Sequence, residues 1–154
     1  MKVFKFGGAS LKNADAIRNM AHILEMYPGD KILVVVSAMG KTTNALESIF
    51  TKAYRGEPFK HEYDSLLDFH MEIGEGLFKT PEKGKCIVGS LFDELDLAIR
   101  QCRNIQSFDE AYDSIISFGE LISSRMIHHY LVAEGKSFQY LDAREMIVTS
   151  ERFR

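Results

Sequence analysis

Two short apolar runs and a series of longer amphipathic stripes divide the chain. In Lys2-Val3-Phe4-Lys5-Phe6 the residues alternate, so a strand there carries Val3 and Lys5 on one face and Phe4 and Phe6 on the other. Ile32-Leu33-Val34-Val35-Val36 is instead continuously apolar and rich in branched side chains, the pattern of a strand buried on both faces of a parallel sheet. Between the two, Ile17, Met20, Ala21 and Leu24 recur at helical spacing and predict a helix from Asn13 to Met26, closed by Pro28-Gly29-Asp30. Strand, helix and strand in this order make a βαβ unit with a right-handed crossover.

Beyond the second strand the period changes to that of helices. Leu46, Ile49, Phe50 and Ala53 begin one, and residues 45–134 contain no strand candidate. Tyr63, Leu66, Leu67, His70, Ile73 and Leu77 form one core stripe, with His70 read as a packed or surface histidine. Val88, Leu91, Phe92, Leu95, Ile99 and Cys102 form a second, after Pro81 at a helix start. A last long helix is predicted from Asp109 to Glu134, capped by Gly135. A third strand is expected within 137–142, at Phe138-Gln139-Tyr140-Leu141, followed by Asp142-Ala143-Arg144. The fold class is therefore α/β with a mainly parallel sheet. Three strands are fewer than the usual five or so of such a sheet, which predicts the front portion of a larger domain.

Composition narrows the function classes. A net charge of −3 leaves no basic footprint for nucleic acid. No apolar run approaches the roughly 20 residues that span a bilayer, and Lys5 interrupts any signal-peptide core. A soluble, cytoplasmic protein with no membrane partner is expected. The two cysteines, Cys86 and Cys102, fall in one predicted helix, too far apart for a disulfide, and are expected to be reduced core thiols. No cluster has metal-ligand spacing; His128 and His129 occupy adjacent helical positions that point apart.

Three stretches carry candidate chemistry. The first strand ends in Gly7-Gly8 and runs into a helix, a layout that aims backbone N–H groups at an anion, with Lys5 beside them. A plain glycine turn with a solvated lysine fits the same residues. Ser10 offers a hydroxyl either as a helix N-cap or to that anion. The second stretch, Ser37-Ala38-Met39-Gly40-Lys41-Thr42-Thr43-Asn44, follows the second strand. Gly40-Lys41-Thr42 imitates the end of a Walker A loop, but the first glycine of that motif falls on Val35, so a P-loop is excluded. What remains is a polar loop at the carboxyl end of a parallel strand, on the same edge as Gly7-Gly8, where open α/β sheets bind ligands. Its threonines and Asn44 can equally cap the next helix. The third stretch is Ser117-Phe118-Gly119-Glu120. A glycine inside a helix costs about 1 kcal/mol relative to alanine, so Gly119 implies close approach of a chain segment or a ligand, beside Glu120.

Taken together, Lys5-Phe6-Gly7-Gly8-Ala9-Ser10, Val36 to Asn44, Ser117-Phe118-Gly119-Glu120 and Asp142-Ala143-Arg144 resemble, in this order and spacing, the N-terminal part of the aspartate kinases, which have the amino acid kinase fold. The family usually has threonine where this chain has Ala9. The resemblance implies a three-layer α/β/α domain of which this chain is an incomplete N-terminal portion. It implies ATP-dependent phosphorylation of the side-chain carboxylate of L-aspartate, the entry to lysine, threonine and methionine synthesis, with ATP and Mg²⁺ as cofactors. It further implies nucleotide and phosphate contacts from Lys5, Phe6, Gly7, Gly8 and Ser37, with Lys5 catalytic, and substrate contacts from Ser10, Thr43 and Glu120. No protein metal ligand is implied, and the full-length enzyme is expected to be a homo-oligomer. In that family the adenine pocket and further catalytic groups lie beyond the equivalent of Arg154, so this portion alone is expected to be inactive. A non-catalytic module that binds a phosphate ligand is the alternative.

Overall fold

The computed structural model describes residues 1–147. Its two strands, β1 (Lys2–Phe6) and β2 (Ile32–Val36), have the predicted bounds and pair in parallel, with Lys5 opposite Val35 and Phe6 opposite Val36. They flank α1 (Ala14–Glu25), whose first turn is capped by Asn13, its side-chain oxygen accepting the Ala16 N–H at 2.9 Å. A single 3₁₀ turn, Gly8–Leu11, separates β1 from α1. Ser10 lies inside that turn and caps neither helix.

The helical middle comprises α2 (Thr42–Arg55), α3 (Lys60–Leu77) and α4 (Pro81–Gln101), followed by α5 (Phe108–Ile116), α6 (Phe118–Ala133) and the short α7 (Ala143–Met146). The predicted stripes meet in one core: Leu66, Ile73 and Leu77 of α3 join Val88, Leu91, Phe92, Leu95 and Ile99 of α4, together with Leu46, Ile49 and Phe50 of α2. The helices α3 and α4 cross so closely at Gly74 and Gly84 that a Cβ on Gly84 would run into the backbone of Gly74. Neither glycine stands out in the sequence, because each lies in an otherwise ordinary amphipathic stripe.

Four expectations need correction. Strand β2 is covered on one face only: Ile32, Val34 and Val36 pack on the core, but Leu33 and Val35 are exposed together with Val3 of β1. An all-apolar run records the capacity to be buried on both faces, while burial itself requires a second layer of chain. The predicted third strand is absent, and residues 137–142 form no ladder. This segment lies instead against α6, where the Phe138 carbonyl accepts the His128 Nε2–H at 3.1 Å and Tyr140 Oη is 3.4 Å from Ser124 Oγ. The long helix from Asp109 to Glu134 is two helices, broken at Ser117, which ends α5 and begins α6. Cys86 is exposed on α4, and Cys102 alone is a buried thiol, in the 3₁₀ turn that follows that helix. Burial pushes the Cys102 thiol up from its ordinary value.

Candidate functional site

The carboxyl ends of β1 and β2 are continued by two loops that backbone hydrogen bonds knit together. Ser37 N–H donates to the Phe6 carbonyl at 3.0 Å, extending the ladder by one rung, and Gly40 N–H donates to the Gly8 carbonyl at 3.1 Å. The two anion-friendly loops of the sequence thus form a single platform, as parallel neighbours must when both strands end at the same level.

The two glycines of the first loop do different things. A Cβ on Gly8 would stand 2.6 Å from the Ala38 carbonyl oxygen and 3.1 Å from that of Gly40, so Gly8 is required by the second loop. A Cβ on Gly7 would meet nothing within 4 Å, and its φ of −82° suits any residue, so that side of the loop is open to a ligand. Replacing Gly8 by alanine is expected to cost about 2 kcal/mol of stability by forcing the loops apart, seen as a lower urea midpoint, whereas Gly7→Ala leaves the unfolding free energy within about 0.5 kcal/mol of wild type. Equal midpoints for the two variants would show that the loops are not packed this tightly.

The second loop is seated on the first turn of α6. Glu120 Oε1 accepts the Ala38 N–H at 3.2 Å, and Ser123 Oγ accepts the Met39 N–H at 3.1 Å while donating to the Gly119 carbonyl. Gly119 is the second residue of α6, not a mid-helix residue, and its missing side chain is explained by Ala38: a Cβ there would stand 2.9 Å from the Ala38 Cβ. The approach of a chain segment, one of the two alternatives open in the sequence, is what Gly119 serves. Glu120 keeps its second carboxylate oxygen beyond this contact, on an exposed residue.

At the other end of the loop, Gly40 takes a left-handed φ of 53° and α2 begins at Thr42. The threonines do not cap α2 through their side chains. Lys41 occupies the N-cap, and the buried Thr42 hydroxyl donates to the Met39 carbonyl at 2.6 Å. Thr43, half-buried, stands at the positive end of the α2 dipole, a position suited to an anionic group. Ser37 is half-buried at the start of the loop, and Ser10 is exposed near the first. Lys5 lies on the open face of the sheet with Val3, Leu33 and Val35. The platform therefore joins the Phe6-to-Ser10 loop, the Ser37-to-Thr43 loop and Glu120.

Sequence reasoning missed Ser123 and the contact of His70 with Thr42. Ser123 follows Glu120 by three residues, one helical turn, so a shared face was available as a signal. His70 carried no such signal. It is wholly buried on α3, its Nδ1 is 2.9 Å from the Leu66 carbonyl, and its Nε2 is 3.4 Å from Thr42 Oγ1. A carbonyl only accepts, so Nδ1 carries the hydrogen in this network. Burial pushes the imidazole down to about 4, offset in part by the Leu66 hydrogen bond.

The parallel strands of this βαβ unit end in one glycine-bearing platform, and comparison with known proteins places the fold. The model of the amino acid kinase family matches residues 1–153, and the chain belongs to that family. Its relatives are aspartokinases. It is 28% identical over 153 residues to the bifunctional chloroplastic aspartokinase/homoserine dehydrogenase 1 of Zea mays, covering 96% of this chain and 16% of that protein. It is also 28% identical to the chloroplastic aspartokinase 2 of Arabidopsis thaliana, covering 98% of this chain and 28% of that one. Among solved structures, Escherichia coli aspartokinase III in complex with aspartate and ADP superposes with a TM-score of 0.80 at 26% identity, covering 97% of this chain and 33% of that one. The same enzyme in complex with lysine and aspartate gives 0.82. The chain thus spans a third or less of the length of these relatives. Among the described residues no helix is long and apolar enough to cross a membrane.

Proposed function

We propose that this chain supplies the phosphate loop and the amino acid loop of an ATP-dependent aspartate kinase. The observation that carries the reading is the platform itself: hydrogen bonds from Gly40 to Gly8 and from Ala38 to Glu120 bring three motifs, far apart in sequence, to one edge.

The chemistry suits these residues. The side-chain carboxylate of aspartate, with a pKa of about 3.9, is ionised at neutral pH and needs no general base. The difficulty is to bring two anions together and to stabilise charge on the phosphoryl group in transfer. Lys5 and the backbone at Phe6, Gly7 and Gly8, with Ser37 beside them, supply positive charge and N–H donors for the nucleotide phosphates. Thr43 and Ser10 offer hydroxyls to the amino acid. Glu120 suits its ammonium group, because a carboxylate would repel the substrate's own carboxylates. For a Mg²⁺ ion held by protein ligands alone the donor set does not fit: no group of three potential His, Cys, Asp or Glu ligands occurs among the described residues. A Mg²⁺ ion would be carried by the nucleotide phosphates.

A coupled assay of ADP formation on the complete reading frame that contains this chain tests the proposal. ATP turnover is expected to require L-aspartate and to fall at least about 100-fold in Lys5→Ala. Glu120→Gln keeps an acceptor for the Ala38 N–H but removes the charge, and is expected to raise the KM for aspartate about 10-fold. Turnover that is absent or indifferent to aspartate sinks the kinase reading and favours a module that only binds a phosphate ligand. The 154-residue chain alone is expected to form no ADP with aspartate, and robust formation would overturn that part.

A further inference from the structure

The chain from α3 to the amino acid loop is continuous. His70 is held from behind by its Nδ1–H to Leu66 and flanked by the rings of Phe69 and Phe92, with centroids at 5.0 and 5.4 Å. Its Nε2 faces the Thr42 hydroxyl, which donates to the Met39 carbonyl, while the N–H of Met39 is held by Ser123 of α6. The neighbouring Phe69 closes the same side, because a Cβ on Gly40 would stand 3.2 Å from its Cζ. The loop is therefore clamped on two sides, by α6 through its amides and by α3 through Thr42. A buried Nε2 acceptor with no polar group beside it would carry an uncompensated desolvation cost, and the Thr42 hydroxyl is the polar group that it faces.

We propose that His70 is a positioning residue: acting through Thr42, it fixes the Met39-to-Thr43 part of the second loop in the orientation that reads the amino acid substrate. The proposal rests on the kinase reading above and adds to it a residue outside the four sequence motifs. The neutral imidazole offers Nε2 as a second acceptor for the hydroxyl hydrogen that Met39 receives first. This limits rotation of Thr42 and so the entry angle of α2, on which Thr43 is the next residue. His70 touches no reacting atom, so its loss acts on amino acid binding and not on phosphoryl transfer.

Two replacements separate the contacts of the imidazole. His70→Asn reproduces the donor to Leu66 but ends short of Thr42, whereas His70→Gln reaches Thr42. In the complete reading frame His70→Asn is expected to raise the KM for aspartate about 5- to 10-fold, with kcat and the KM for ATP within about twofold of wild type. His70→Gln recovers most of the loss. In a Thr42→Val background, which already lacks the hydroxyl, His70→Asn adds no further increase. An unchanged aspartate KM in His70→Asn, or effects of the two replacements that simply multiply, overturns the proposal. Hydrogen exchange on the 154-residue chain separates this failure from failure of the kinase reading. Exchange of the Ala38 and Met39 amides is expected to quicken about 10-fold in His70→Asn relative to amides of α1. Unchanged exchange overturns the positioning role even where wild type shows no turnover with aspartate.

Discussion

Gly84→Ala is expected to lower the stability of the chain by about 3 kcal/mol, the upper end of what overpacking costs. A Cβ at this position would stand 2.1 Å from the Gly74 carbonyl oxygen and 2.3 Å from its carbon, inside any permissible contact. Both obstructing atoms belong to backbone, so no rotamer change relieves the clash, and α3 and α4 must separate along the Leu66, Ile73, Leu91 and Phe92 contacts. Helix propensity works the other way by about 1 kcal/mol, which makes the sign a real test. Gly89, on the same helix, is the control: its nearest neighbour is Met71 Cε at 4.0 Å, so Gly89→Ala is expected to stabilise by about 0.5 kcal/mol or more. Urea unfolding followed by circular dichroism compares the variants directly. Should Gly84→Ala fail to fold, Gly74→Ala gives the graded answer, since its closest contact is a Val88 methyl at 2.9 Å. Wild-type midpoints for both would refute the tight crossing.

Acid is expected to remove about 3 kcal/mol of stability through His70 alone. The folded imidazole titrates at about 4 because burial disfavours its charged form, while the unfolded side chain titrates near 6.5. Between these values the unfolded state binds the extra proton, so stability rises with pH across the window. The contribution is fully present above about 6.5 and is lost as pH falls towards 4. Carboxylates titrate in the lower part of the same window, so the measurement is a difference: unfolding free energy against pH for wild type minus that for His70→Gln. A slope near pH 5.5 that persists in His70→Gln, where about 6.5 to 4 is the His70 window, would assign the acid sensitivity elsewhere.

The two strands, the first helix and the apolar stripes of the middle helices were legible because period and local chemistry are properties of adjacent residues. Lys2–Phe6 and Ile32–Val36 formed as read, and Asn13 capped α1 as its side chain allows. The convergence of the Gly7-Gly8 loop with the Ser37-to-Thr43 loop followed from parallel pairing alone. The family resemblance was legible for the same reason, being carried by short contiguous motifs.

Other features turned on partners distant in sequence. Phe138 to Leu141 has strand-like residues but formed no strand, because a ladder needs a neighbouring strand and this segment is held against α6 instead. Gly7 and Gly8 are identical in sequence, and only the position of Ala38 makes one indispensable and leaves the other facing open space. Glu120 appeared as a group awaiting a ligand, and the fold gave one of its oxygens to a backbone amide of the second loop. His70 looked like any apolar-stripe histidine until Thr42 was found at its far nitrogen. The sequence by itself determined which elements exist and which chemistry is available. The tertiary structure decided which of those groups meet, because hydrogen bonds and steric exclusion act over a few ångströms in space, whatever the distance along the chain.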